Sequence, residues 1–148
     1  MPHSYYELHY HIVWATRDRE PRLVPEIRDR VYACIRRKCE ELGCEVHAIG
    51  GLDDHVHVAI SIPATVTVAQ VAHDAKGSSS HLANQLAIGD SLYWQPGYGA
   101  ITIRKKDLPA VCRYIHEQQK RHDARNTWPG LENSETEPVA KNAQGSKP

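Results

Sequence analysis

The stretch Asp53-Asp54-His55-Val56-His57-Val58-Ala59-Ile60-Ser61-Ile62 decides how this chain is read. After Asp54 it is rich in β-branched residues, which marks a strand. Side chains two apart on a strand share a face, with Cα atoms roughly 6.5–7 Å apart. His55 and His57 therefore point the same way, with Val56 behind them. Two imidazoles so placed can converge on one divalent metal. The plainer reading is a polar stripe on a half-exposed strand, and the H-x-H spacing alone leaves both open.

Working outward, Cys44 to Ile49 reads as another strand, and Gly50-Gly51-Leu52-Asp53-Asp54 as the turn of a hairpin that pairs it with the histidine strand. Before it, Ile27, Val31, Cys34/Ile35 and Leu42 follow helical spacing, with Pro25 suited to the first turn and Gly43 to the stop. Tyr5 to Thr16 is aromatic and β-branched, a long first strand on which His9 and His11 share a face. After Pro63, Thr67-x-x-Gln70 has the form of a capping box, and Val68, Val71, Ala75, Leu82 and Leu86 keep helical period. Lys76-Gly77-Ser78-Ser79-Ser80 interrupts that helix with weak helix formers, so a kink, a close approach of backbone to a ligand, or a poorly formed turn is expected there. A Gly-rich aromatic loop, Tyr93 to Ala100, leads to a short fourth strand, Ile101 to Arg104. Asp107 suits the cap of a third helix, striped by Leu108, Val111, Cys112 and Ile115 and running to about His122.

The order strand, helix, strand, strand, helix, strand is the split β-α-β-β-α-β pattern. It implies an α+β, ferredoxin-like (RRM-like) domain: a four-stranded antiparallel sheet with two helices on one face, plus an added C-terminal helix. The domain is expected over residues 1–126. Residues 127–148, poor in apolar side chains and rich in Pro, Gly, Ser and Glu, read as a disordered polar tail.

Composition narrows the function classes. The 148 residues are 41% hydrophobic, enough for one domain with a core, and Lys+Arg and Asp+Glu balance at 18 each, so no global basic field advertises nucleic acid. Positive charge is local, at Arg36-Arg37-Lys38, Arg104-Lys105-Lys106 and Lys120-Arg121. Cys34, Cys39, Cys44 and Cys112 include no C-x-x-C and lack metal-knuckle spacing. No secretory leader or apolar stretch of about 20 residues is seen, so a cytoplasmic protein with reduced cysteines is expected.

On the third helix, Tyr114 and Gln118 are four apart and so neighbours on its surface. Alone, each reads as an ordinary helix residue, with the Tyr ring packing at the core edge. Together, Tyr10-His11-Ile12-Val13-Trp14-Ala15-Thr16, Asp54-His55-Val56-His57, Lys76-Gly77-Ser78-Ser79, Trp94-Gln95 with Gly97-Tyr98-Gly99-Ala100, and Tyr114-Ile115-x-x-Gln118 resemble, in order over residues 5–123, the single-tyrosine HUH transposases of insertion sequences and their palindrome-associated domesticated relatives. The resemblance implies Tyr114 as nucleophile and Mg²⁺ or Mn²⁺ held by His55, His57 and Gln118, with Glu117 a competitor for the third place. It further implies a 5′-phosphotyrosine intermediate with a free 3′-hydroxyl, single-stranded or hairpin DNA as substrate, and a homodimer. Lys76, Arg104, Lys105 and Lys106 are candidate phosphate contacts. Two other readings compete: a non-catalytic RRM-like nucleic-acid-binding module, in which His9, Tyr10 and Trp14 would face bases, and a structural zinc domain using His55, His57 and cysteines.

Overall fold

The computed structural model describes residues 4–135. Its strands are β1 (His9–Ala15), β2 (Glu45–Leu52), β3 (His55–Ser61) and β4 (Gly99–Ile103). Its helices are α1 (Pro25–Glu41), α2 (Val68–Leu86), α3 (Leu108–His116), α4 (Gln118–Asp123) and the single turn α5 (Pro129–Glu132). The four strands form one antiparallel sheet in the order β2-β3-β1-β4, so β3 lies at its centre with β1 and β2 on either side.

Alternation along the strands makes two layers. Ile12 and Trp14 of β1 join Val56, Val58 and Ile60 of β3 and the apolar stripes of α1 and α2, where Ile27, Val31, Ile35, Val71 and Ala75 are buried. Full burial of each large side chain in such a layer contributes about 1.5–3 kcal/mol. On the opposite face a smaller layer collects Ala48, Ala59, Val111, Tyr114, Ile115 and Leu131. The sheet is thus covered on both sides. Two helices do cover one face, as the spacing implies, but β3 is not half-exposed: His55 is 1% and His57 0% accessible. Among the described residues no helix is long and apolar enough to cross a membrane.

Close approach of α3 to β2 requires Gly50. A Cβ there would stand 2.6 Å from the Ile115 carbonyl oxygen, a backbone atom that cannot rotate aside. This explains why Gly50-Gly51, which reads as a turn, is instead the end of β2, with Asp53 and Asp54 alone making the turn.

Three local expectations are revised. The Lys76–Ser80 run does not break α2; the Ser79 hydroxyl donates to Ala75 O at 2.6 Å and Ser80 to Lys76 O at 3.0 Å, so the serines satisfy themselves within the helix. Asp107 makes no side-chain cap and instead accepts from Arg104 Nε at 2.8 Å. The third helix breaks at Glu117 (φ −103°, ψ 22°), dividing it into α3 and α4.

The fold also continues past residue 126. The Trp128–Glu132 segment returns across the second face, with Leu131 only 5% exposed. Local composition misses this because the segment carries few apolar side chains, chiefly Trp128 and Leu131. The rest of the expected tail, 136–148, lies outside the described residues.

Candidate active site

β3 delivers His55 and His57 to the second face, their ring centroids 4.9 Å apart. The backbone turn at Glu117 keeps Gln118 one turn below Tyr114 and brings its Oε1 to 2.9 Å from His55 Nε2. Gln118 is 2% exposed, while Glu117, the competing ligand, pairs with Arg121 at 3.3 Å. The trio expected from sequence is therefore brought together.

Two further groups enter the same space. Glu132, from α5, sets Oε1 at 3.6 Å from His55 Nε2 and Oε2 at 3.5 Å from His57 Nε2. His122, from α4, lies with Nε2 3.4 Å from Glu132 Oε1. His55, His122 and Glu132 offer ligand atoms all within 4.8 Å of one another, a group that could hold a metal ion. His122 stood in the sequence four residues after Gln118, one more turn along the same helical face, and spacing could have found it. Glu132 had no sequence signal, since it lies in a polar stretch without period.

The donor balance of this cluster is what fits a cation. His55 Nδ1 lies 2.7 Å from the Asp54 carboxylate while its Nε2 meets the Gln118 amide oxygen at 2.9 Å, so the ring has an acceptor on each side. His57 Nε2 and His122 Nε2 are buried without a hydrogen-bond partner. Imidazole nitrogens, an amide oxygen and a carboxylate thus gather in one buried place, a donor set that suits a divalent cation. Burial holds the His57 imidazole below its ordinary range, which keeps it neutral and ligand-ready. Burial alone would raise the Glu132 carboxyl, but attraction from His57, the Tyr114 hydroxyl and His55 outweighs it and holds the group down at about 2.

Tyr114 adjoins this cluster. Its ring is 0% exposed, 6.0 Å from the His57 ring and stacked on Trp128 at 4.7 Å. Its hydroxyl donates to Glu132 Oε2 and accepts from the Trp128 backbone N–H at 2.9 Å. The phenol is pushed up to about 12, first by burial and then by the Glu132 carboxylate that accepts its proton. The Arg121 guanidinium lies 5.3 Å from the ring centroid. That Tyr114 is buried, although it sits off the stripe of α3, is due to Trp128 above it.

The basic candidates are elsewhere. Lys76 Nζ donates to Gln95 O and Gly97 O, each at 2.8 Å, while Ser79 accepts from Trp94 Nε1 at 3.0 Å, so the Lys-Gly-Ser-Ser motif anchors the Gly-rich loop. Arg104 pairs with Asp107, and Lys105 lies 3.8 Å from Glu7. Their strand leads in from Ile103 opposite His9, whereas His55 pairs with Ala15 at the other end of β1. Six strand steps, roughly 20 Å, separate the Arg104-Lys105-Lys106 run from the histidines. The cysteines are free thiols; Cys39 and Cys44 lie across the sheet from His55 and His57, and although Cys112 packs on the histidine side, the group among the described residues that could hold a metal contains no cysteine, which disfavours the zinc-domain reading.

Comparison with known proteins gives the family. The model of the family described as Transposase IS200 like matches residues 4–118. The ISDra2 transposase TnpA of Deinococcus radiodurans is 26% identical over 121 residues, covering 76% of this chain and 85% of that protein. The transposase for insertion sequence element IS200 of Salmonella typhimurium is 27% identical over 125 residues, covering 80% and 81%. Among solved structures, a candidate transposase of Deinococcus radiodurans superposes with a TM-score of 0.63 at 24% identity, over 80% of this chain and 95% of that one. A REP-associated tyrosine transposase bound to a REP hairpin gives 0.60 at 17% identity, over 100% and 88%. The two structures speak to the fold, and the family match, which spans most of the sequence, places this chain in the IS200-like transposase family.

Proposed function

We propose that this ferredoxin-like domain cleaves and rejoins single-stranded DNA through Tyr114, with Mg²⁺ or Mn²⁺ held by His55, His57 and Gln118. The supporting observation is the contact of Glu132 with both the Tyr114 hydroxyl and the imidazole cluster, which puts the proposed nucleophile at the edge of that cluster. When bound, the cation draws charge from the scissile phosphate and steadies the in-line transition state.

The chain's own groups do the remainder. The Tyr114 oxygen attacks phosphorus, the bond from phosphorus to the 3′ oxygen breaks, and a 5′-phosphotyrosine and a free 3′-hydroxyl result; attack of a 3′-hydroxyl on that ester later restores the tyrosine. A phenol held near 12 needs its anion stabilised. The Arg121 guanidinium over its ring does so. Because the ring is covered by Trp128, a phosphate reaches it only when the Trp128–Glu132 segment lifts.

Arg104, Lys105 and Lys106 would contact phosphates away from the cut, and binding would weaken with salt. A homodimer and a cytoplasmic location belong to the same reading. The test is incubation with random single-stranded DNA plus Mg²⁺ or Mn²⁺, denaturing electrophoresis, then digestion of the DNA and mass spectrometry. A nucleotide-modified peptide containing Tyr114 is expected. A modified Tyr98 would move the nucleophile, and DNA binding with no adduct under either metal would return the chain to the binding-module reading.

A further inference from the structure

We propose that Ser61 is a second nucleophile of this domain, aligned with His9 and Glu7 in a serine–histidine–carboxylate row, and that it takes an acyl group from activated carboxylic esters. The row stands apart from the candidate metal cluster. Ser61 is four residues beyond His57 on the same face of β3, about 13 Å away. His9 is directly opposite Ser61 in the β1–β3 register, and its Nδ1 lies 2.6 Å from the Ser61 hydroxyl oxygen. Glu7 stands two residues before His9, and its Oε1 lies 2.6 Å from the other ring nitrogen, Nε2. From the opposite side, the register of β2 against β3 shifts between Val46 and Ala48. That bulge takes His47 out of the strand's alternation and sets its Nε2 2.7 Å from the same hydroxyl.

The order of protons along the row follows from Glu7. Hydrogen bonds from the Tyr5 hydroxyl and then from His9 hold its carboxyl below the usual range, so it is a carboxylate and can only accept. His9 Nε2 is therefore the donor in that contact. The neutral ring then has a bare Nδ1, and the Ser61 hydroxyl gives its one proton to it. His47 Nε2 is left to donate to the Ser61 oxygen. A base on the hydroxyl proton and a carboxylate on the far nitrogen of that base are what an acyl-transfer serine requires. Ser61, His9 and His47 are only partly buried, so a small ester can reach the hydroxyl. In the step, Ser61 Oγ bonds to the acyl carbon as its proton passes to His9 Nδ1. The carbon–oxygen bond to the leaving group breaks, and that oxygen departs with the electron pair and recovers the proton from His9. The His47 N–H, released from the Ser61 oxygen, is free to meet the carbonyl oxygen as it gains charge. Water deprotonated by His9 later releases the acid and restores Ser61.

The test treats the full chain with p-nitrophenyl acetate, in EDTA so that no metal-bound hydroxide contributes. Release of p-nitrophenolate is followed by absorbance, and acid-quenched protein is digested for mass spectrometry. Acetyl on Ser61 is expected in the wild type, a result that needs no variant to fold. His9→Gln should slow its formation about 10²- to 10⁴-fold, the usual contribution of a positioned base, and Glu7→Gln should slow it by a smaller factor. Acetyl confined to lysines, tyrosines or imidazoles in the wild type, or Ser61 acetylation at an undiminished rate in a folded His9→Gln or Glu7→Gln, would overturn the inference.

Discussion

On β3, Val56, Val58 and Ile60 enter the layer beneath α1 and α2, whereas His55, His57 and Ala59 enter the layer beneath α3, α4 and α5. The first layer is apolar and broad. The second holds three imidazoles at or near the carboxylate of Glu132, an amide and a phenol, and it has few apolar contacts of its own. The contrast teaches where the stability resides. Uncompensated acceptors are costly to gather in a buried place, and the side of the sheet that gathers them depends on the other side to keep the strands in register.

The sharpest way to break this division is Tyr114→Phe. Cleavage and the covalent adduct should both vanish, read on a denaturing gel, while urea denaturation should lose only about 1 kcal/mol, because one hydroxyl bonded to Glu132 and to the Trp128 N–H is removed. Next comes a paired truncation on the same strand. Ile60→Ala should cost about 2–5 kcal/mol as a core cavity. His57→Ala should cost under about 2 kcal/mol, since an unpartnered buried nitrogen leaves with the side chain, yet it should abolish cleavage. Equal destabilisation by the two would show that the layers share the load. Gly50→Ala sharpens the boundary between them: the added Cβ meets Ile115 O, so a loss of about 1–3 kcal/mol is expected, with slower adduct formation as α3 shifts.

The smallest effect belongs to alkali. Burial pushes the Cys39 thiol and the Tyr32 hydroxyl, both on α1, up to about 12. The unfolded chain ionises these groups at their ordinary values of 9.0 and 10.0, before the folded one does. The stabilisation is therefore complete below pH 9 and is lost as pH rises from there toward 12. The decline should be visible between pH 9 and 10.5, measured by urea midpoints. The double variant Cys39→Ala, Tyr32→Phe should flatten that decline, and an unchanged slope would count against burial as its cause.

Much of the fold was legible because its signals are periodic. The β-rich runs, the helical stripes of α1 and α2, and the H-x-H spacing on a strand all follow from geometry that two or four residues suffice to state. Tyr114 and Gln118 were legible as neighbours because four residues make about one turn, and the break at Glu117 did not separate them. The cover of the second face was not legible. Residues 127–135 have no period, and what holds them is one stacked ring, one leucine and a carboxylate whose partners lie on β3, α3 and α4. Lys76 shows the limit of reading a charge alone: its carbonyl partners, Gln95 and Gly97, are known only once their loop is in place.

Because a strand presents its side chains alternately, the two-sided burial of β3 acts as a proofreading device. A slip of one residue against β1 would turn His55, His57 and Ser61 toward the isoleucines of α1 and would leave Val56, Val58 and Ile60 among the carboxylates and imidazoles. Neither layer tolerates the other's residues, so a mispaired chain is penalised twice for a single error. The strand that carries the candidate metal ligands is for that reason the one whose alignment the rest of the molecule checks most strictly.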